Sequence, residues 1–167
     1  MIKDFSNTTT IYTKSLRTVT LKIRQDFIAD PDADLPAADS PIDVYEILKA
    51  IYHQLDDEQE HLVLLVLNLS REVTGYKVIS SGNERSSLAD GKAIFRNALL
   101  LGASYIVLAH NHPSGKLKPS NADIRFTNKI IEAGKTLDIP VLDHIILTHK
   151  GYVSLRDERQ CKFEPLA

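Results

Sequence analysis

Apolar positions along this chain follow two different periods, and the two alternate. Val44, Ile47, Leu48, Ile51 and Leu55 recur at helical spacing, which predicts a helix from Pro41 to about residue 56. Ser40 suits its N-cap and Pro41 its first helical position. Leu62 to Leu67 is a continuous apolar run, as expected of a central strand buried on both faces. Arg71 to Gly75 reads as a turn, Tyr76 to Ser80 as a partner strand, and Ser81-Gly82-Asn83 as a second turn. Residues 90–101 predict an amphipathic helix with Ile94, Phe95, Ala98, Leu99 and Leu101 inward. A strand follows at 104–109. A third helix is expected from Ser120 to about Leu137, burying Ile124, Phe126, Ile130 and Ile131. Val141 to Leu147 and Tyr152 to Leu155 read as strands around a turn at His149-Lys150-Gly151. Helices alternating with strands predict a layered α/β domain with a mixed sheet.

Ahead of this domain, Arg17 to Arg24 alternates polar and β-branched apolar residues and predicts a strand. Residues 29–40 are polar and punctuated by proline, which makes them a linker. The expected organisation is therefore an extension over 1–40 and a domain over 41–167. A strand on a flexible tether can add to an exposed sheet edge, in its own domain or in a second copy, so a homo-oligomer is one expected partner.

Composition narrows the function classes. The 167 residues are 43 % hydrophobic and 25 % charged, with one cysteine, Cys161. One cysteine excludes an intrachain disulfide and a cysteine-based zinc cluster. No apolar run is long enough for a membrane span, and Met1 to Asn7 lacks the apolar core of a signal peptide, so a cytoplasmic protein is expected. Net charge is −2 but uneven. Ten acidic residues and one basic residue lie between Asp30 and Glu60, whereas 14 basic residues face 10 acidic ones from His61 onward. The chain as a whole does not read as a nonspecific nucleic-acid binder, although a local basic surface on the second half is open.

The chemistry concentrates in His110-Asn111-His112-Pro113-Ser114-Gly115-Lys116-Leu117-Lys118-Pro119-Ser120-Asn121-Ala122-Asp123. Two histidines at i and i+2 of an extended strand end project to one side. The following loop returns a carboxylate from the start of a helix. Two imidazoles and a carboxylate form a three-ligand set with a fourth position open, as in catalytic zinc sites. Iron, cobalt or manganese suit similar donors. A plainer reading is also available. Ser-x-x-Asp at a helix start is a capping box, and histidines at a strand end can serve as loop hydrogen-bonding groups. The two roles are compatible, since Ser120 can cap while Asp123 faces a metal.

Related layouts fail on specific residues. A zinc deaminase needs His-x-Glu with Pro-Cys-x-x-Cys. No His-Glu-x-x-His, Gly-x-Ser-x-Gly or phosphate-binding glycine loop is present.

The string His-x-His-Pro-Ser-Gly followed by Ser-x-x-Asp resembles the JAMM (MPN+, or JAB) metalloprotease signature, in the version carried by bacterial RadC-like proteins. The resemblance runs from about Pro41 to Cys161. It takes in Glu60-His61, Ile94-Phe95-Arg96-Asn97-Ala98-Leu99, Asp143-His144-Ile145-Ile146 and Tyr152-Val153-Ser154-Leu155. It implies a three-layer, cytidine-deaminase-like α-β-α fold, with His110, His112 and Asp123 as Zn2+ ligands. It makes Ser120 the oxyanion-stabilising serine and Glu60 the base that takes a proton from water. The residues alone do not select Glu60 over Glu58 or Asp57. The implied activity is metallopeptidase hydrolysis of a peptide or isopeptide bond in a peptide or protein substrate. Association with DNA, from the DNA-repair label of RadC-like proteins, and a noncatalytic MPN scaffold are the alternatives. Residues 1–40 are too short and strand-like for the N-terminal helix-hairpin-helix module of full-length relatives, so a stand-alone form is expected. Asp143 and His144 are expected to satisfy buried polar contacts, or else to include a carboxylate steadying a ligand histidine. Lys116 to Lys118 and Ser81 to Leu88 are expected to border the cleft.

Overall fold

The structure, a computed structural model, describes residues 8–11, 19–22, 35–82 and 91–165. Thr8–Ile11 (β1) and Val19–Lys22 (β2) form a separate two-stranded antiparallel sheet with Thr8 opposite Lys22. The strand expected between Arg17 and Arg24 is therefore present as β2. Its partner is β1, a strand the sequence patterning had not indicated, rather than an edge of the main sheet in this chain. Linker residues 29–34, the flanks of β2 and residues 83–88 of the expected cleft border lie outside the described residues.

Pro41–Tyr52 (α1) is followed by His61–Leu67 (β3), Val73–Ser81 (β4), Gly91–Leu100 (α2), Tyr105–Asn111 (β5), Asn121–Thr136 (α3), Val141–Thr148 (β6) and Gly151–Ser154 (β7). The main sheet has the order β4-β3-β5-β6-β7. Every neighbouring pair is antiparallel except β5 and β6, whose parallel pairing requires a crossover, supplied by α3. This mixed sheet between helical layers is the α/β architecture expected, consistent with the JAB/MPN fold.

β3 is buried at all seven positions because both of its faces are covered. Val63, Leu65 and Leu67 pack with Val44, Leu48 and Ile51 of α1. Leu62, Leu64 and Val66 pack with Ile94, Phe95 and Ala98 of α2 and with Ile130 and Ile131 of α3. An uninterrupted apolar run is the sequence signature of that double burial.

Several expected boundaries shift. The turn placed at 71–75 lies at 68–72: the Asn68 side chain accepts from the Glu72 amide at 3.0 Å and donates to its carboxylate at 2.6 Å. β4 therefore begins at Val73, inside the expected turn. The first helix ends at Tyr52, where the His53 amide caps it on the Lys49 carbonyl at 2.9 Å. Leu99 faces outward at 58 % exposure, so α2 buries a narrower stripe than expected. Ile124 and Phe126 are only half-buried, and Asp123 and Thr127 take the inner face of α3 instead. The end of the linker is docked rather than free. Ala37 bridges to Glu72, and the Val73 amide donates to the Pro36 carbonyl at 2.9 Å.

Candidate metal centre

Strand register assembles the site. β5 ends at Asn111, so His110 and His112 stand at its C-terminal end, and alternation places both on the face covered by α3. β5 runs two residues beyond the expected 109, which puts His110 within the sheet. β3 is antiparallel to it with Leu62 opposite His110, so Glu60, the residue just before β3, arrives at the same end. β6 is parallel to β5 with His144 opposite Leu108, which places the His144 ring beside His110. The crossover then delivers Asp123 in the first turn of α3.

Ser120 is the N-cap of α3 and Asp123 its third residue, and they form a complete capping box. The Asp123 amide donates to Ser120 Oγ at 3.1 Å, and the Ser120 amide donates to Asp123 Oδ2 at 2.7 Å. The capping reading is thus correct, and the same carboxylate also reaches the histidines. Asp123 Oδ1 lies 3.8 Å from His110 Nε2, and Asp123 Oδ2 lies 3.7 Å from His112 Nε2. The two Nε2 atoms are 2.9 Å apart. Donors at about 2.0–2.1 Å from a tetrahedral zinc sit about 3.3 Å from one another, and one donor atom from each of these three residues lies within 4.8 Å of the others.

The far sides of the rings decide which nitrogens face inward. His112 Nδ1 is 2.6 Å from the Lys116 carbonyl, which only accepts, so neutral His112 carries its proton on Nδ1. His110 is set by a longer chain. Thr127 donates its hydroxyl proton to the Asp123 carbonyl at 2.7 Å and can then only accept from His144 Nδ1, at 2.6 Å. His144 Nε2, left as an acceptor, takes the Nδ1 proton of His110 at 2.8 Å. His110 and His112 therefore both present bare Nε2 lone pairs to one point. Two lone pairs and a carboxylate converging on one point call for a cation, and the donor set fits a divalent metal.

The electrostatics point the same way. Burial pushes His110 down to about 4, with His112 adding to that and Asp123 opposing it. Burial also holds His144 well below its ordinary value, assisted by His110. Both rings are neutral, as metal ligation and its support require. Burial works against ionisation of Asp123, but the His112 and His110 rings and both groups of Ser120 hold its carboxyl well below the usual range. His112 is raised, first by the nearby Asp123 carboxylate, against burial, with the Lys116 carbonyl and the negative charge of Glu60 contributing. A proton is drawn to the point where a metal would sit.

Glu60 is exposed beside His112, close enough for its charge to act there. Gly115, in the loop between the histidines and Ser120, has φ +71, and an added Cβ would come within 2.5 Å of the His149 ring. Asp143 is turned away from the metal site. It accepts from Ser154 Oγ at 2.6 Å and from the amides of His144 and Arg156. The group that steadies His110 is thus His144, not a carboxylate. Thr127 escaped sequence reasoning, although its place four residues after Asp123 puts both on one helix face. No helix among the described residues is long and apolar enough to cross a membrane.

Comparison with known proteins agrees with this geometry. The RadC-like JAB domain family matches residues 38–160. A UPF0758 protein of Enterococcus faecalis is 45 % identical over 101 residues, which is 60 % of this chain and 44 % of that protein. One from Methanococcoides burtonii is 37 % identical over 132 residues, covering 79 % of this chain and 56 % of the relative. One from Rubrobacter xylanophilus is 40 % identical over 122 residues, covering 73 % and 52 %. The chain thus spans about half the length of the curated relatives it matches. From its matched residues and the site they build, the chain belongs to the RadC-like JAB domain family.

Proposed function

We propose that this chain is a zinc-dependent hydrolase that cleaves a peptide or isopeptide bond in a peptide or protein substrate. The observation that carries the reading is the convergence of the His110 and His112 Nε2 lone pairs on the Asp123 carboxylate, with Glu60 alongside. His110, His112 and Asp123 would hold the ion. When bound, zinc supplies a Lewis acid that polarises a carbonyl and lowers the pKa of a coordinated water towards ~7. Glu60 accepts the proton released by the attacking water and returns it to the departing amine. The Ser120 hydroxyl, which accepts from the Asp123 amide, donates its own proton to the carbonyl oxygen as negative charge grows there. Neutral imidazoles with one carboxylate would leave a divalent ion held there a net positive charge, which would favour that oxygen.

Elemental analysis and digestion of a mixed peptide and isopeptide library, read by mass spectrometry, test this reading. One zinc per chain and cleavage that Glu60→Gln abolishes while keeping the zinc would support it. A zinc-loaded chain that leaves every bond intact would remove the peptidase assignment, and a chain that binds no zinc would remove the site.

A second reading, association with DNA, is favoured by one feature. Arg125 and Lys129 are exposed four residues apart on α3, and Lys116 and Lys118 are exposed in the loop leading to it. Such binding must weaken steeply with salt. A labelled duplex that fails to shift at low ionic strength would eliminate it.

A further inference from the structure

Asn111 sits between the two histidines, yet alternation turns its side chain to the opposite face of β5, away from the metal centre. Its amide instead makes two bonds to the chain around Glu60. Asn111 Oδ1 accepts from the His61 amide at 2.7 Å, and Nδ2 donates to the Gln59 carbonyl at 2.8 Å. The last main-chain register pair between β3 and β5 is Leu62 with His110. Beyond it, the Asn111 side chain takes the place of the next ladder pair and brackets Glu60 from both sides.

We infer that Asn111 is a positioning residue for Glu60, tying the backbone of the proton acceptor directly to the strand that carries the metal ligands. This inference rests on the reading of Glu60 as the base. The chemistry of the side chain fits the task closely. A carboxamide offers a donor and an acceptor with the geometry of a peptide group, which neither a carboxylate nor a hydroxyl does. Other contacts complete the clamp. The Glu60 carbonyl accepts from the Gly82 amide at 3.0 Å. From the α1 side, the Tyr52 hydroxyl lies 2.9 Å from the carbonyls of both His61 and Ala109, bridging the same two strands. The Glu60 side chain is exposed and long, so its placement derives from a backbone held on either side. A proton acceptor displaced by about 1 Å can lose on the order of 10²-fold in rate, which gives such a clamp a purpose.

The test uses the full chain loaded with Co2+, following metal stoichiometry and the pH midpoint of the cobalt visible absorption. Glu60→Gln should keep the cobalt and shift the midpoint. Asn111→Ala should also keep the cobalt and shift the midpoint in the same direction, by at least half as much. Asn111→Asp retains only the acceptor for the His61 amide and should shift it less, and it serves if the alanine variant folds poorly. The Asn111→Ala/Glu60→Gln double variant should match Glu60→Gln alone. Asn68→Ala, which breaks the turn at the other end of β3, should leave the midpoint in place. A wild-type midpoint in Asn111→Ala or Asn111→Asp with full cobalt, or additive shifts in the double variant, would overturn the inference while sparing Glu60. A Glu60→Gln variant that keeps the wild-type midpoint would overturn the reading of Glu60 and the inference with it.

Discussion

His144 Nε2 accepts the Nδ1 proton of His110 across 2.8 Å, and this one contact decides which nitrogen of His110 faces Asp123. A buried imidazole supported by Thr127 would therefore act on a metal held by His110 without touching it.

Removing that support should loosen the metal before it unfolds the protein. His144→Phe leaves His110 Nδ1 without its acceptor, and Thr127→Val removes the group that orients His144. Each variant should weaken zinc about 10- to 100-fold, the usual cost of losing a partner behind a ligand histidine. Competition against a chelating dye measures it, and an unchanged zinc affinity in both variants would refute the relay.

Ser40 and Ser120 make the same capping box on different helices, which gives a matched pair. Ser40→Ala should cost about 1 kcal/mol of stability and leave zinc affinity intact. Ser120→Ala should cost a similar amount of stability, about 1 kcal/mol, and weaken zinc as well, because Asp123 is then held less firmly. Denaturant melts and zinc titrations of the two variants, compared side by side, check this.

The metal-free protein should lose stability as pH falls below neutrality. His110 is lowered to about 4 in the fold from an ordinary 6.5, so the unfolded chain takes up its proton first. The loss begins near pH 6.5 and is complete near 4, at about 3 kcal/mol for this group. His144 is lowered and acts in the same sense. His112 is raised, so its contribution is present below 6.5 and fades as pH rises through its folded value. Thermal melts of chelator-treated protein across this range should show the acid-side loss, and a flat profile from pH 7 to 4 would contradict it.

Gly134 offers a test in which helix propensity and packing disagree. Alanine at an interior helix position is ordinarily worth up to about 1 kcal/mol over glycine. Here a Cβ would lie 2.5 Å from the Ile139 carbonyl oxygen, where α3 turns back towards β6. Gly134→Ala should therefore destabilise by about 1–3 kcal/mol, the range for overpacking, as seen in the denaturation midpoint.

Most of the architecture was legible because periodicity and burial coincide in β3, β5 and α1. Leu99 misled because an apolar residue at helical spacing need not be covered when the helix packs on a narrow stripe. The Arg71–Gly75 boundary misled because Gly75 lies within a strand, where glycine ordinarily weakens a strand assignment. The convergence of His110, His112 and Asp123 was legible through their spacing, but the Thr127–His144–His110 chain was not. Its members are 17 and 34 residues apart, and only the parallel pairing of β5 with β6 brings them together. Glu60 was picked out by resemblance alone, since its carboxylate neighbours Asp57 and Glu58 have the same local chemistry.

The two edges of β3 also differ in regularity. Its pairing with β4 slips twice, between Leu62 and Val63 and between Val66 and Leu67, while its pairing with β5 runs without a break from Leu62 to Leu67. A one-residue slip on the β5 side would invert the strand and carry Glu60 to the wrong face. For β3 the irregularity lies only in the seam with β4, so the unbroken seam with β5 is what fixes where the chain before Leu62 lies relative to His110 and His112.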